Sequence, residues 1–194
     1  ADAQMGRVLD ALEKSPYRDN TIVVLISDHG FHLGEKTHWT KGTLWEEATH
    51  CLLMVRAPGV TRPGQTCART VSLLDLYPTL ADLTGLPRPD HLDGHSLAPQ
   101  LKDPQAPRAQ PAISTYQTHI SVRTERYRYI RYGDGSDELY DRSEDPREWT
   151  NLASDPKCSD LKKRLAGYLP KPEDMAPMRP RKKRRKKDKE NEEA

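Results

Sequence analysis

Thr21-Ile22-Val23-Val24-Leu25-Ile26-Ser27-Asp28-His29-Gly30 carries the chain from six consecutive apolar or β-branched residues directly onto a carboxylate and an imidazole. With no polar alternation, the first six predict a strand covered on both faces in an α/β sheet. Asp28 and His29 then fall at its carboxyl end, and Gly30 lets the backbone turn sharply beneath them. Ligands of open α/β sheets collect outside the carboxyl ends of the strands. An anionic oxygen beside a ring nitrogen in that place suits a metal ion or an anionic substrate.

Working outward, Met5, Val8, Leu9 and Leu12 share one face of a helix over residues 2–14, which Ser15-Pro16 stops. Helix and strand together predict half of a βαβ-type repeat. The chain opens on this helical pattern and not on a signal peptide, as a helix entered partway. A lone strand of this type makes no stable sheet, so its neighbours lie either elsewhere in this chain or, the favoured expectation, in a longer protein. Downstream, the polar, aromatic-containing stretch Phe31 to His50 leads to a second apolar run, Cys51-Leu52-Leu53-Met54-Val55, closed by a turn at Ala57-Pro58-Gly59. Asp75 can cap a helix with Pro78 in its first turn, Leu76, Leu80 and Leu83 on one face, and Gly85 at its end.

Six prolines between Leu86 and Pro111 predict an extended crossing to a second unit. There Ser121-Val122-Arg123, Tyr127 to Tyr132 and Glu138-Leu139-Tyr140 form short strands separated by turn residues such as Gly133-Asp134-Gly135, which predicts a small antiparallel sheet. Asp145-Pro146 opens a helical turn, and Leu161, Leu165 and Tyr168 fit a closing amphipathic helix. The expected division is therefore a catalytic-type α/β part over 1–110, a small α+β subdomain over 111–170 and a disordered charged tail over 171–194.

Composition limits the function classes. Hydrophobic residues make up 35%, charged residues 31% and prolines number 16, so much of the length is loop or solvated tail. No apolar stretch approaches the roughly 18 residues of a membrane span. The net charge of +2 averages two unlike regions: nine Lys or Arg against four acidic residues lie from Arg179 onward, leaving 22 basic and 25 acidic residues before it, a net of −3. The body thus offers no basic face for nucleic acid, and the run Arg181 to Lys187, with no reading motif beside it, predicts salt-sensitive attraction to polyanions and no specific nucleic-acid partner. Cys51, Cys67 and Cys158 are odd in number and lack CxxC spacing, so they indicate neither a disulfide framework nor a zinc site. Cys51 is expected as a small buried hydrophobe.

The chemistry is concentrated in Ser27-Asp28-His29-Gly30-Phe31-His32-Leu33-Gly34-Glu35-Lys36-Thr37-His38-Trp39-Thr40-Lys41. Asp28 offers the hard oxygen that calcium or magnesium selects, and His29 a ligand or hydrogen-bond donor. Two glycines in the loop allow Lys41 to fold back over the strand end, where its charge would meet an ester-bound oxyanion. Taken singly, Asp-His-Gly is more often a turn with a capping aspartate, His32, His38 and His50 are surface or hydrogen-bonded histidines, and Trp39 and Trp45 pack the loop onto the sheet.

Taken together, Ser-Asp-His-Gly followed by Gly-Glu, Trp and Lys at these intervals, then Thr43-Leu44-Trp45-Glu46-Glu47-Ala48-Thr49-His50, closely resembles the sulfatase family, nearest its iduronate-2-sulfatase-like and choline-sulfatase-like branch. Ala57-Pro58-Gly59, Ser72 to Leu80, Leu92-Asp93-Gly94-His95-Ser96-Leu97, Val122 to Ile130, and Glu138-Leu139-Tyr140-Asp141 with Asp145-Pro146 and Asn151-Leu152 follow in the family's order. The resemblance spans about residues 1–169. It implies an alkaline-phosphatase-like α/β sandwich, continued by the small antiparallel sheet with its helix, that hydrolyses sulfate esters with a formylglycine nucleophile and one divalent cation, commonly calcium. By motif match, Asp28 and His29 would bind the metal, and Lys41 would contact the sulfate and the charge developing on the leaving oxygen. His119, just before the Val122-Arg123 strand, is the candidate substrate-pocket residue, while Tyr127, Tyr129 and Tyr132 serve either packing or sugar stacking.

The Cys-x-Pro-x-Arg or Ser-x-Pro-x-Arg segment that holds the family's nucleophile does not occur in this chain, nor does its early pair of metal-binding aspartates. The expectation is the C-terminal half of a sulfatase that acts on a sulfated carbohydrate or small sulfate ester and is inactive without the other half. A phosphodiesterase or phosphonate monoester hydrolase of the same superfamily is the enzymatic alternative. A non-catalytic interaction module, pairing with a complementing chain, is the other. By resemblance alone, the compartment is periplasmic, secreted or lysosomal.

Overall fold

The computed structural model describes residues 1–171, and the expected charged tail beyond Lys171 lies outside them. Helix α1 (Asp2–Glu13) leads through a short 3-10 turn into β1 (Val23–Ile26), whose partner is β2 (Leu53–Arg56). They pair antiparallel, Val23 opposite Arg56 and Ile26 opposite Leu53, so the neighbour that the described residues give β1 is not a parallel one. An apolar run reports how a strand is buried but not the direction of its neighbour, and the segment between β1 and β2 reverses the chain. Nor is β1 covered on both faces, since Ile26 is 44% exposed and Met54, on β2, 58%. The ladder begins at Leu53, which leaves Cys51 half-buried before the strand and not inside it.

Helix α3 (Leu76–Thr84) ends on Gly85 at φ 70°, a left-handed conformation that costs glycine little. Asp75 does not cap it forward. Its buried carboxylate turns back instead to accept from the Ser72 N–H at 2.7 Å, the His95 N–H at 2.8 Å and the Arg108 guanidinium at 2.7 Å. The proline-rich crossing is thereby tied down at its middle and near its end, and it carries the short α4 (Ala98–Lys102).

Four strands, β3 (Ala112–Tyr116), β4 (His119–Arg123), β5 (Tyr127–Arg131) and β6 (Asp137–Asp141), form an antiparallel meander in sequence order. Three of these were expected from alternation and turns; β3, directly after Pro111, was not. The sheet is covered on both sides. Val122, Tyr129 and Leu139, cross-strand neighbours on one face, pack with Leu165 of α5 (Ser159–Ala166) and Ala153. On the opposite face Ile130 and Tyr140 pack with Leu44, and Trp45 closes over them. Asp145-Pro146 makes a turn, not a helical one, with Asp145 accepting from the Thr150 N–H at 2.7 Å.

Candidate active site

Just past the end of the ladder, the Ser27 N–H donates to the Leu52 carbonyl at 3.1 Å while the Ser27 hydroxyl accepts from the Leu52 N–H at 3.2 Å. That clasp fixes where Asp28 and His29 leave the sheet. Gly30 then passes so close to α2 (Glu46–Thr49) that a methyl group in its place would lie 2.0 Å from the Glu47 carbonyl oxygen, and its N–H donates to the Ala48 carbonyl at 2.9 Å. Only glycine fits this approach.

The following loop is a narrow return. His32 N–H donates to the Thr40 carbonyl at 3.0 Å and Gly34 N–H to the His38 carbonyl at 2.9 Å, with Lys36 and Thr37 at positive φ on the tip. The Lys36 ammonium lies 4.6 Å from the Trp45 ring centre, 4.9 Å from that of Tyr140 and 5.5 Å from that of Trp149, a cation–π clasp that holds the tip against the small sheet. His32 is fully buried, with Nε2 2.7 Å from the Thr43 hydroxyl. The return brings Lys41 back to the strand end, where its Nζ donates to His29 Nε2 at 2.7 Å.

The partners of His29 decide its tautomer. Nδ1–H donates to the Gly30 carbonyl at 2.6 Å, so Nε2 carries the lone pair, 3.5 Å from an Asp28 oxygen and facing Lys41. A backbone carbonyl holding the remote ring N–H is the arrangement that orients a metal-ligating histidine. Asp28 is 86% exposed and free to turn its oxygens the same way. Orientation and donor chemistry therefore fit a divalent cation, but the number of donors fits only part of one. Calcium takes about six to eight oxygen-rich ligands, and among the described residues no group of three or more His, Cys, Asp or Glu is placed to hold an ion.

Asp28, His29 and Lys41 are thus brought together. His119 stands apart, as the first residue of β4 and not in the loop before it. Its Nδ1 accepts the Gly133 N–H at 3.1 Å, which leaves the proton of the neutral ring on Nε2, and the ring meets Tyr132 edge-on at 5.1 Å. Its cross-strand partner Tyr116 reaches toward the Lys41 loop: a methyl group on Gly42 would lie 2.7 Å from the Tyr116 hydroxyl.

Four further residues shape the site and were not singled out in the sequence. Tyr116 lies at the end of the unrecognised β3. Glu138 Oε2 accepts from Trp45 Nε1 at 2.7 Å and from the Tyr140 hydroxyl at 2.9 Å; burial and this carboxylate hold the Tyr140 phenol protonated, far above its ordinary range. Arg128 and Glu148 are buried beneath the loop and pair at 2.5 Å. A charged residue between Tyr127 and Tyr129 was the available signal for Arg128, because lone charges inside apolar strands require partners. Their network includes Glu46, which burial alone would push up, but Arg128, Arg123 and Arg142 together hold its carboxyl below the usual range.

The family model described as N-sulphoglucosamine sulphohydrolase, C-terminal, matches residues 34–174. A sulfatase of Formosa agariphila is 41% identical over 171 residues, covering 88% of this chain and 34% of its own length. A solved structure in complex with its substrate D-glucosamine-2-N,6-O-disulfate superimposes with a TM-score of 0.75 at 32% identity, over 87% of this chain and 37% of that one. The phosphonate monoester hydrolase of Silicibacter pomeroyi superimposes with a TM-score of 0.77 at 28% identity, over 86% and 37%. The chain spans about a third of the length of the curated relatives it matches. A family model covering most of the chain, met by relatives that share both its sequence and its fold, makes this chain a member of the alkaline-phosphatase-like sulfatases and places it in their C-terminal region.

Proposed function

We propose that this chain supplies the C-terminal part of a sulfuric ester hydrolase acting on a sulfated sugar, in which Asp28 and His29 hold one divalent cation, calcium by family resemblance, and Lys41 meets the sulfate. The observation that carries this is the Lys41 Nζ–His29 Nε2 contact of 2.7 Å beside Asp28 at the end of β1. When bound, the cation would polarise the sulfate oxygens. The chain's own residues do the rest of what lies on this side. Gly30 and its carbonyl hold the His29 lone pair outward. Lys41 brings a mobile positive charge to the point where an ester oxygen gains negative charge, an interaction that strengthens as the bond breaks. His119 presents Nε2–H as a donor on the hairpin whose Tyr116 touches the Lys41 loop, and so suits a sulfate or hydroxyl oxygen of the sugar. The bound disulfated glucosamine of the solved neighbour supports a sulfated amino sugar as the substrate class. The nucleophile, read by resemblance as formylglycine, and the remaining metal ligands would come from outside this chain, which by itself would be inactive. An exported or lysosomal compartment belongs to the same proposal.

In a sulfatase carrying this chain, Lys41→Ala is expected to lower kcat on an aryl sulfate about 10²–10³-fold, the usual cost of losing one charge-stabilising group. A full-rate Lys41→Ala enzyme would overturn the assignment. The comparable superposition on a phosphonate monoester hydrolase favours phosphorus esters as a second reading. Faster turnover of a phenyl phosphonate than of the matching aryl sulfate would select it.

A further inference from the structure

Arg128 sits in the middle of β5, 1% exposed, and every part of its guanidinium is engaged. Nε donates to Glu148 at 2.5 Å, Nη1 to the Leu44 carbonyl at 2.9 Å and the Ser121 hydroxyl at 2.8 Å, and Nη2 to Glu46. Two of these partners lie on the segment that carries the candidate active site. Leu44 is three residues beyond Lys41 and only 5% exposed, with its side chain packed on Ile130 and Tyr140. Glu46 opens α2, and the Glu46 N–H donates to the other oxygen of Glu148 at 2.9 Å. Helix α2 in turn supplies the Ala48 carbonyl that holds Gly30 and the Glu47 carbonyl against which Gly30 is closely packed.

A four-residue helix has almost no stability of its own, so its position is set by what grips it. Here that grip is the Arg128–Glu148 pair, buried in the opposite unit of the chain. Glu148 is held at φ 59°, a left-handed conformation in which a non-glycine residue persists only when its surroundings demand it. Arg123 and Arg142 reach Glu46 at 3.2 and 3.1 Å and complete its neutralisation. From Arg128 two short chains of contact therefore run to the same place. One passes through Leu44 to Lys41; the other passes through Glu46, α2 and Gly30 to His29.

We infer that Arg128 is a positioning residue for catalysis, setting the separation of Lys41 from His29 from both sides while remaining out of reach of substrate. The inference rests on the sulfatase reading of the Asp28, His29 and Lys41 site. A lysine at 128 keeps the charge but has one nitrogen where four bonds are made, so it cannot hold Leu44 and Glu46 together. Small misplacement of reacting groups is enough to cost about 10²-fold in rate.

The test is a double-mutant cycle in a sulfatase carrying this chain, with kcat and KM measured at a temperature where near-ultraviolet circular dichroism shows each variant folded. Arg128→Lys is expected to lower kcat about 10–100-fold with KM changed less than about threefold. In a Lys41→Ala background the same substitution is expected to cost less than about threefold, because the group it positions is already gone. Equal losses in both backgrounds would overturn the inference while leaving the site assignment standing. A normal rate for Lys41→Ala alone would overturn both. If Arg128→Lys does not fold, Glu46→Gln, which keeps the side-chain shape and weakens the same grip, enters the same cycle with the same criterion.

Discussion

Gly30 shows at the scale of one residue how tightly the candidate site is built. Its place against the Glu47 and His50 carbonyl oxygens is backbone against backbone, so nothing flexible can yield to a larger side chain. Gly30→Ala is expected to destabilise by about 1–3 kcal/mol, the range for overpacking a close contact, and, in a sulfatase carrying this chain, to lower kcat more than Gly42→Ala, whose methyl group would meet the movable end of Tyr116. Urea unfolding and aryl sulfate turnover of the two variants measure this order, and equal effects would contradict it. Asp28, His29 and Lys41 were legible as neighbours in the sequence because a strand end and a short loop with two glycines can bring them together, whereas the grip of Arg128 on that segment, through a hydrogen bond to Leu44 84 positions away, was not. The orientation of His29 was not, since it depends on a carbonyl one residue away and an ammonium twelve residues away. His119 was legible as a candidate, but its tautomer is set by Gly133, across a hairpin.

Among the elements, the helices and strands with clear periodicity, α1, α3, α5 and the last three strands, were predicted close to where they lie. The misses share a cause. Strand β3 directly follows a proline-rich crossing and lacks an apolar alternation of its own, and α2 is a single turn whose existence depends on Glu148, 102 residues from Glu46. Asp75 was read as a forward cap and is not one, because the N–H groups that satisfy it are those of Ser72 and His95. Removing it by Asp75→Ala leaves Arg108 buried without its partner, and the loss of one member of such a pair costs about 3–5 kcal/mol. Thermal unfolding is the measurement; a loss below about 1 kcal/mol would mean that water reaches Arg108. Acid should loosen the small sheet. Hydrogen bonds from Arg126 and Ser143 lower the Asp141 pKa to about 2, and Glu46 is also held below the ordinary range. Both folded values lie below the unfolded ones, so the stability these groups contribute is complete above about pH 4–5 and is lost as pH falls toward about 2. The urea midpoint should decline through that window, and a flat midpoint would show that the carboxylates are not coupled to folding.

At the level of the whole molecule, apolar surface is distributed unevenly. The small sheet is covered on both faces, whereas Val8 and Leu9 on α1, Ile26 on β1, and Leu52 and Met54 at β2 are between 42% and 69% exposed. Under the proposed reading, these exposed side chains would be covered by the rest of the sulfatase. The chain alone is expected to enhance the fluorescence of an apolar dye such as ANS several-fold over an ordinary folded protein, and addition of the remaining sulfatase polypeptide should abolish the enhancement. Dye binding no greater than that of a typical monomer would show that this face is already closed. The apolar run of β1 announced burial that residues 1–171 do not themselves provide, which is why the direction of its pairing was misjudged. The double covering of the small sheet has a further consequence for grafting between relatives. Residues 43–46 are far from the sheet in sequence but form one of its walls, so a meander transplanted between relatives without that wall would arrive with Ile130 and Tyr140 bare and the Arg128 donors unmet. A graft of the small sheet between relatives should therefore be cut to include both the sheet and the segment following Lys41.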